Sequence, residues 1–183
     1  MSGEIPDHQP LNRAQRRFLG LVLPIGLAIY KQDFLPIEEV FLPAIALKML
    51  GQQQQGAGRL RGGPLLGYQR GTTLSIEVAL PSNCTPQHPF DVQPEYLLGA
   101  LDAALQVSAD PLDWVGQWVM PADGHHPDAC WSEELWHAAR SQALVSVSQV
   151  LLTVGMAEDR LEVEAWGERE GKPFNIPLRK HVL

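Results

Sequence analysis

Two hydrophobic periods succeed one another along the chain, and together they predict an α/β fold. Apolar residues occupy every second position in 74–78 and in 161–165, as in strands with one covered face. In 94–107 they recur every three or four positions after a proline that suits a helix start, which predicts a helix. Further strands are predicted around 65–66 and at 112–120 and 145–155, and further helices at 40–50 and 132–145.

Local signals predict where several of these elements begin and end. Ser132 is followed directly by two glutamates, and this pattern predicts a helix that Ser132 caps at its N-terminus. Pro43 is tolerated in the first turn of the helix near the start of the domain, and Gly51 is the expected end of that helix. Loops are predicted at 51–63 and 121–130.

Length and composition indicate one folded domain that is preceded by a short N-terminal extension. The chain has 183 residues, of which 45% are apolar and 19% charged, as is ordinary for a globular domain with a single core. Residues 1–34 are predicted to form an N-terminal extension and residues 35–183 the domain. The formal net charge is −7 and no segment concentrates Lys and Arg, so no nucleic acid partner is expected.

An N-terminal apolar run and the cysteines bear on localisation. The run 18–30 follows three arginines and imitates a targeting segment, but it is shorter than the roughly 20 residues that span a bilayer, and Pro24 divides it. We interpret it as a buried strand or short helix and expect no membrane association. The two cysteines, Cys84 and Cys130, lie far apart, which favours free thiols in the reducing cytoplasm.

Three blocks of sequence resemble a known family. They read "RGGPLLG" at 61–67, "WVGQWVMP" at 114–121 and "WSEELW" at 131–136, and their order and spacing are similar to those of the JAB/MPN (JAMM) domain. The resemblance covers residues 35–170. It implies a single α/β (α+β) domain in which a mixed, curved β-sheet is flanked by helices.

The residues that carry the chemistry of this family are missing from the blocks. In an active member, two histidines and an aspartate bind Zn²⁺, and a glutamate activates the bound water. By the resemblance, Leu60 stands at the glutamate position and Val119 and Met120 stand at the histidine pair. Leu135 stands at the aspartate position, or Glu134 if the register shifts by one. Valine offers no ligand atom and a thioether suits Cu(I) better than Zn²⁺, so we expect no catalytic residue, metal or cofactor at this site.

A relocated metal site is the alternative. His125, His126 and Asp128 follow shortly after the apolar pair, and each side chain type binds Zn²⁺ in proteins. Adjacent histidines point in different directions in an extended loop, however, and no usual metal-binding spacing is present. We therefore favour a solvated polar loop. A zinc-dependent isopeptidase or peptidase that uses these three residues is the alternative function.

Large side chains near the same blocks have two explanations. Trp118, Met120, Trp131 and Trp136 are candidate partner-binding residues, since tryptophan is enriched at interface hot spots. Packing in the core is the other explanation. The resemblance implies a non-catalytic pseudoenzyme that binds a protein or acts as a scaffold. It also implies that the partner is another MPN-like subunit or a component of a bacterial ubiquitin-like pathway, and it leaves a homodimer open.

Overall fold

One eight-stranded mixed sheet organises the part of the chain that the structure describes, which confirms the predicted α/β class. The computed structural model describes residues 35–55, 58–82, 88, 90, 93–108 and 112–181. The predicted extension over 1–34 and the prediction for Cys84 lie outside these residues. The strands are β1 (Glu39–Leu42), β2 (Arg61–Arg70), β3 (Thr73–Ala79), β4 (Asp113–Met120), β5 (Val150–Ala157), β6 (Arg160–Arg169), β7 (Lys172–Ile176) and β8 (Leu178–Lys180). The helices in these residues are α1 (Ala44–Gln52), a short 3-10 turn (Gln53–Gln55), α2 (Pro94–Val107) and α3 (Ala129–Ser141).

The two ends of the sheet are joined by one continuous segment. The strand order is β7-β6-β5-β4-β2-β3-β1-β8, and the outermost strands β7 and β8 are separated in sequence by Pro177 alone. The first half of this segment pairs with β6 and the second half with β1. At the junction, the backbone N–H of Val40 donates to the carbonyl oxygen of Pro177 at 3.0 Å. The sheet therefore curls almost into a barrel.

The sheet separates two hydrophobic clusters. The interior cluster contains Leu65 and Leu152, and α1 closes it by contributing Ala46 and Leu50. The outer cluster lies between the opposite face of the sheet and helices α2 and α3, which contribute residues such as Leu101. Central strands that are covered on both faces explain the long apolar runs in the sequence.

The positions of α1 and β1 correct the first predicted helix. Val40 lies in β1 and not in a helix, and it pairs with the neighbouring strand β3. Pro43 has an extended backbone and precedes the first helical residue. Because a proline pushes the residue before it into extended geometry, the chain could not be helical on both sides of Pro43. Gly51 does not end the helix, which continues to Gln52.

The start of α3 is also corrected. The cap is Asp128, whose carboxylate accepts a hydrogen bond from the backbone N–H of Trp131 at 2.8 Å. Ser132, the predicted cap, lies inside the helix and is buried. Asp128 and Ser132 are both good capping residues. The chain is held against β5 as far as His126, and the helix begins at the first capping residue after this contact, Asp128.

The remaining predictions divide between confirmed elements and missed ones. The hairpin of β2 and β3, helix α2, and strands β4 and β6 are confirmed. The predicted strand over 145–155 begins only at Val150, after a turn in which Ser146 and Gln149 pair. Strands β7 and β8 were missed, although Phe174, Ile176 and Leu178 are apolar at alternate positions along them and Ile176 is buried in the interior cluster. No helix within the described residues has the length and apolar character needed to cross a membrane.

Gly116 lies at a β-bulge in the central strand β4. Leu65 pairs with Gly116, whereas the next residue, Leu66, pairs with Trp114, so one residue of β4 is left out of the pairing. The φ angle of Gly116 is 152°, which side-chain-bearing residues rarely adopt. A Cβ atom at this position would lie 2.0 Å from the carbonyl oxygen of Val150. Glycine is thus required for β4 and β5 to approach each other.

Substitution of this glycine should be strongly destabilising. We expect Gly116→Ala to lower the free energy of unfolding by about 3 kcal/mol or more, because a backbone clash is added to an unfavourable φ. Gly99→Ala is the matched control, since a Cβ atom at Gly99 in α2 meets nothing within 4 Å. It should raise stability by about 0.5–1 kcal/mol. Urea unfolding of both variants measures the difference, and a mild effect of Gly116→Ala would contradict the proposed close approach.

Candidate functional site

Strands β2 and β4 bring the first two sequence blocks, 61–67 and 114–121, side by side. They pair antiparallel, with Arg61 opposite Met120 and Gly62 opposite Val119. The side chain of Val119 has no solvent exposure and belongs to the outer hydrophobic cluster. Leu60, at the glutamate position by the resemblance, and Leu135, at the aspartate position, belong to the same cluster. Glu134, which takes the aspartate position if the register shifts by one, is exposed. Apolar contacts therefore fill the region where the resemblance implies metal chemistry.

Met120 does not share this region with Val119. Its side chain is fully buried in the interior cluster, on the other side of the sheet. Successive side chains of a strand point to opposite faces, so these two neighbours could not converge on one ion whatever their chemistry. The position of Met120 also means that its thioether does not occupy the region around Val119.

The loop after β4 is tied to the end of β5 through its backbone. The N–H of His126 donates to the carbonyl oxygen of Met156 at 2.9 Å, and the N–H of Met156 donates to the carbonyl oxygen of Gly124 at 2.7 Å. The loop passes directly over Gly155, where a Cβ atom would lie 2.4 Å from the Cα of His126. His125 is exposed on this loop. It is therefore held at the surface and does not turn back towards Val119.

The three candidate ligands of the relocated site have separate environments. His125 is exposed, His126 is half-buried, and Asp128 is engaged as the cap of α3. Among the described residues, no group of three or more His, Cys, Asp or Glu side chains is placed so that it could hold a metal ion. The geometry does not assemble His125, His126 and Asp128 into a ligand set.

The four candidate partner-binding residues also have different environments. Trp118 and Met120 are fully buried in the interior cluster, and Trp136 is 1% exposed in the outer cluster. Core packing, the other explanation from the sequence, accounts for these three side chains, because a fully buried side chain contacts no partner while the fold is intact. Trp131 is partly exposed at the first turn of α3 and packs with one side on the outer cluster.

Arg61 is a buried charge that sequence reasoning missed. It is 9% exposed, and its guanidinium donates to the carbonyl oxygen of Gln53 at 2.6 Å and to that of Pro121 at 3.1 Å. Burial lowers the pKa of the Arg61 guanidinium from its ordinary value, and the carboxylate of Asp123 acts in the opposite direction. Arg61 therefore ties the 3-10 turn to the loop that follows β4. A single arginine between Leu60 and a glycine gave no periodic signal of burial.

Two buried hydroxyl groups lie on the outer side of the sheet. The side chains of Ser132 in α3 and Thr153 in β5 have no solvent exposure. Neither hydroxyl oxygen has a hydrogen-bond partner among the described residues, and the same is true of the buried Nε2 atom of His126. The indole Nε1 atoms of Trp136 and Trp166 in the outer cluster likewise have no partner among the described residues.

Removal of the Arg61 side chain should weaken the fold at this end of the sheet. We expect Arg61→Met to lower the free energy of unfolding by about 2 kcal/mol, because two carbonyl groups lose a charged donor. Arg59→Met is the matched control, since Arg59 is exposed two residues away. Chemical unfolding of both variants provides the comparison. Equal unfolding midpoints for the two variants would mean that the tether contributes no stability.

Comparison with known proteins bears on the fold alone. No protein-family model and no curated protein sequence matches the chain. A solved structure with a similar fold is the solution structure of protein DSY2949 from Desulfitobacterium hafniense, a structural genomics target. The two chains are 16% identical, the match covers 78% of this chain and 92% of that one, and the TM-score is 0.57. The likeness shows that another protein has a similar fold.

Proposed function

We propose that the protein is a catalytically silent JAB/MPN-like domain that acts as a protein-binding or scaffold module. The observation that carries the proposal is the shared environment of Leu60, Val119 and Leu135. These three positions correspond, by the resemblance, to the base and to two of the metal ligands, and all three are apolar and buried in one cluster. A hydrolytic zinc site needs nitrogen or oxygen ligands and an open position for water, and an apolar cluster provides neither.

The pairing of the glycine-rich strand with the strand that ends at Met120 supports the JAB/MPN-like architecture. Residues 61–67 and 113–120 pair antiparallel, so the first two blocks of the resemblance lie side by side in one sheet. A helix that begins shortly after the loop, α3, adds to this support. The proposal therefore uses both the presence of the structural blocks and the chemistry that has been replaced within them.

The partner we propose is a protein, either another MPN-like subunit or a component of a ubiquitin-like pathway in the bacterial cytoplasm. A second copy of the chain is an alternative partner. The formal net charge of −7 makes a nucleic acid a poor partner. Cys130 is a free and exposed cysteine, which suits a reducing compartment.

Trp131 is the residue through which we propose that the partner is contacted. It is partly exposed, and the exposed carboxylate residue Glu134 follows it by three positions, on the same side of α3. Glu133, which is also exposed, adds a second negative charge nearby. An aromatic residue with a polar rim is a common form of interface hot spot. The surface fits a partner that offers an apolar pocket beside basic side chains.

Zinc content and peptidase activity test the catalytic part of the proposal. We expect purified protein to hold no stoichiometric zinc and to cleave no ubiquitin-like fusion protein. The double variant His125→Ala/His126→Ala should behave as the parent does in both assays. His137→Ala/His181→Ala, which removes two exposed histidines elsewhere, is the matched control. Stoichiometric zinc that only the first double variant loses, together with cleavage activity, would favour the alternative zinc-dependent isopeptidase or peptidase.

A partner-binding assay tests the role of Trp131. For a partner obtained by co-purification with the full chain, we expect Trp131→Ala to weaken binding about 30-fold or more, as for a hot-spot residue worth at least 2 kcal/mol. Tyr96→Ala is the control, since Tyr96 is an exposed aromatic residue on a different helix. Sedimentation of the purified chain tests the homodimer. Unchanged affinity for Trp131→Ala would contradict the proposed surface.

A further inference from the structure

Met156 joins two other segments to the end of β5, one through its backbone and one through its side chain. Its N–H donates to the carbonyl oxygen of Gly124, and its own carbonyl oxygen accepts from the N–H of His126. Its sulfur atom accepts a hydrogen bond from the side-chain amide of Gln54, a residue 102 positions earlier in the chain. Gln54 belongs to the 3-10 turn that follows α1. Met156 is therefore the point at which the loop after β4, this turn and β5 meet.

The end of α1 contacts the same place on the sheet. Met156 lies opposite Leu161 in the pairing of β5 and β6, and Leu161 packs against the interior cluster. A Cβ atom at Gly51, in the last turn of α1, would lie 3.8 Å from the Cδ2 atom of Leu161. The helix thus ends beside the pair formed by Met156 and Leu161. Contacts with this pair support α1 in the position where it closes the interior cluster.

The 3-10 turn has two polar anchors of different chemistry. The carbonyl oxygen of Gln53 accepts a hydrogen bond from the guanidinium of Arg61 at 2.6 Å. The amide of Gln54 is held by the thioether of Met156. A guanidinium does not react with peroxides, whereas a methionine thioether is converted by them to a sulfoxide. Of these two anchors, the one at Gln54 is therefore sensitive to oxidation.

The methionines of the described residues differ in their exposure. Met120 has no solvent exposure. Met49 and Met156 are half-buried. The hydrogen bond between Gln54 and the sulfur of Met156 is itself only partly buried. Because an oxidant must touch the sulfur atom to react, the thioether of Met156 is open to attack under conditions in which that of Met120 is protected.

We propose that Met156 is a site of reversible oxidation by hydrogen peroxide, and that its sulfoxide releases the 3-10 turn from the end of β5. A lone pair of the thioether sulfur attacks one oxygen of the peroxide, so that an S–O bond forms and the O–O bond breaks. The departing hydroxide takes the proton from the new S–OH group, which leaves a sulfoxide and one water molecule. The sulfur loses two electrons and the peroxide gains them.

The sulfoxide does not support the contact with Gln54. Its negative charge lies on the oxygen, so the electron-poor sulfur no longer accepts a hydrogen bond from the amide. The new group is also polar, and it is hydrated best when the side chain turns away from the neighbouring interior cluster. Both effects separate the turn from β5, and α1 loses the support at its end. A thiol-dependent reductase that returns the sulfoxide to the thioether restores the contact. The inference does not depend on the proposed partner-binding function.

Peroxide treatment of a variant with one half-buried methionine tests the release. In Met49→Leu, which conserves volume, Met156 is the half-buried methionine that remains in the described residues. We expect peptide mass spectrometry to find one added oxygen atom at Met156 at peroxide concentrations that leave Met120 unmodified. Amide hydrogen exchange at Gln53–Gln55 should then become about fivefold faster, as for the loss of one hydrogen bond. The Tm should fall by about 2–4 °C.

The double variant Met49→Leu/Met156→Leu is the matched control. It keeps Met120 and the exposed Cys130, so it subtracts cysteine oxidation and general damage by the peroxide. Its Tm and its amide exchange at Gln53–Gln55 should not respond to the treatment. The proposal is overturned if Met156 stays unmodified until Met120 is also oxidised, or if Met156 is oxidised without faster exchange at the turn.

Removal of the amide donor separates release of the turn from other effects of the sulfoxide. Gln54→Ala in the Met49→Leu background should by itself speed exchange at the turn about as much as oxidation does, and peroxide should then add little. Gln52→Ala in the same background is the control, since Gln52 is an exposed glutamine two residues away. It should respond to peroxide as Met49→Leu does. Additive effects of Gln54→Ala and peroxide would place the action of the sulfoxide elsewhere and overturn the proposal.

Discussion

Strand β4 is covered on both of its faces, and the rest of the structure depends on this constraint. One face contributes Trp118 and Met120 to the interior cluster, and the other contributes Val119 to the outer cluster. A doubly covered strand needs close neighbours on both sides, and the bulge at Gly116 allows β5 to approach. Coverage on both sides also leaves no face of β4 open to solvent near Met120, where the strand ends. A metal site of the kind that the sequence blocks suggest needs an open position at that place.

The sheet closes on itself because the interior hydrophobic cluster must also be shielded from solvent. An interior cluster is protected only if the strands around it curl, and the segment that contains Pro177 joins the two outermost strands. Pro177 cannot donate a backbone hydrogen bond, which is tolerated because the segment leaves β6 and reaches β1 at this residue. Its carbonyl oxygen still accepts from Val40. Helix α1 then covers the interior with Ala46 and Leu50.

How much the sequence predicts depends on whether a residue's role is local. Alternation in β6 and the helical period of α2 report which side of an element is covered, and both elements were predicted correctly. The beginning of α3 depended on the path of the preceding loop over Gly155, a contact between distant parts of the chain. Strand β8 pairs with β1, far away in sequence, whereas β7 forms a hairpin with the adjacent strand β6 and has apolar Phe174 and Ile176 at alternate positions. Long-range pairing such as that of β8 leaves almost no local signal, whereas β7 had one that was missed.

The candidate site divides in the same way. The absence of nitrogen and oxygen ligand atoms for Zn²⁺ in the side chains of Val119 and Met120 follows from residue identity, so the sequence could predict it. That these two side chains lie on opposite faces follows from strand geometry once the strand is known. The burial of Arg61 could not be predicted, because its partners are the carbonyl groups of Gln53 and Pro121, which the fold brings together. Backbone acceptors carry no sequence signature.

Energy alone does not argue against a zinc ion bound by the loop after β4. Rearranging the loop would break the hydrogen bond from His126 to Met156 and the cap at Asp128, at a combined cost of about 2–3 kcal/mol. Structural zinc sites supply about 10–16 kcal/mol, which exceeds that cost. Position is the stronger argument. His125 is exposed while His126 is half-buried, and the backbone of both residues lies against Gly155 of β5. Bringing Asp128 and both histidines onto one ion would require the loop to leave this contact. The loop that carries His125, His126 and Asp128 is, in the fold, the connection that leads from β4 over Gly155 into α3.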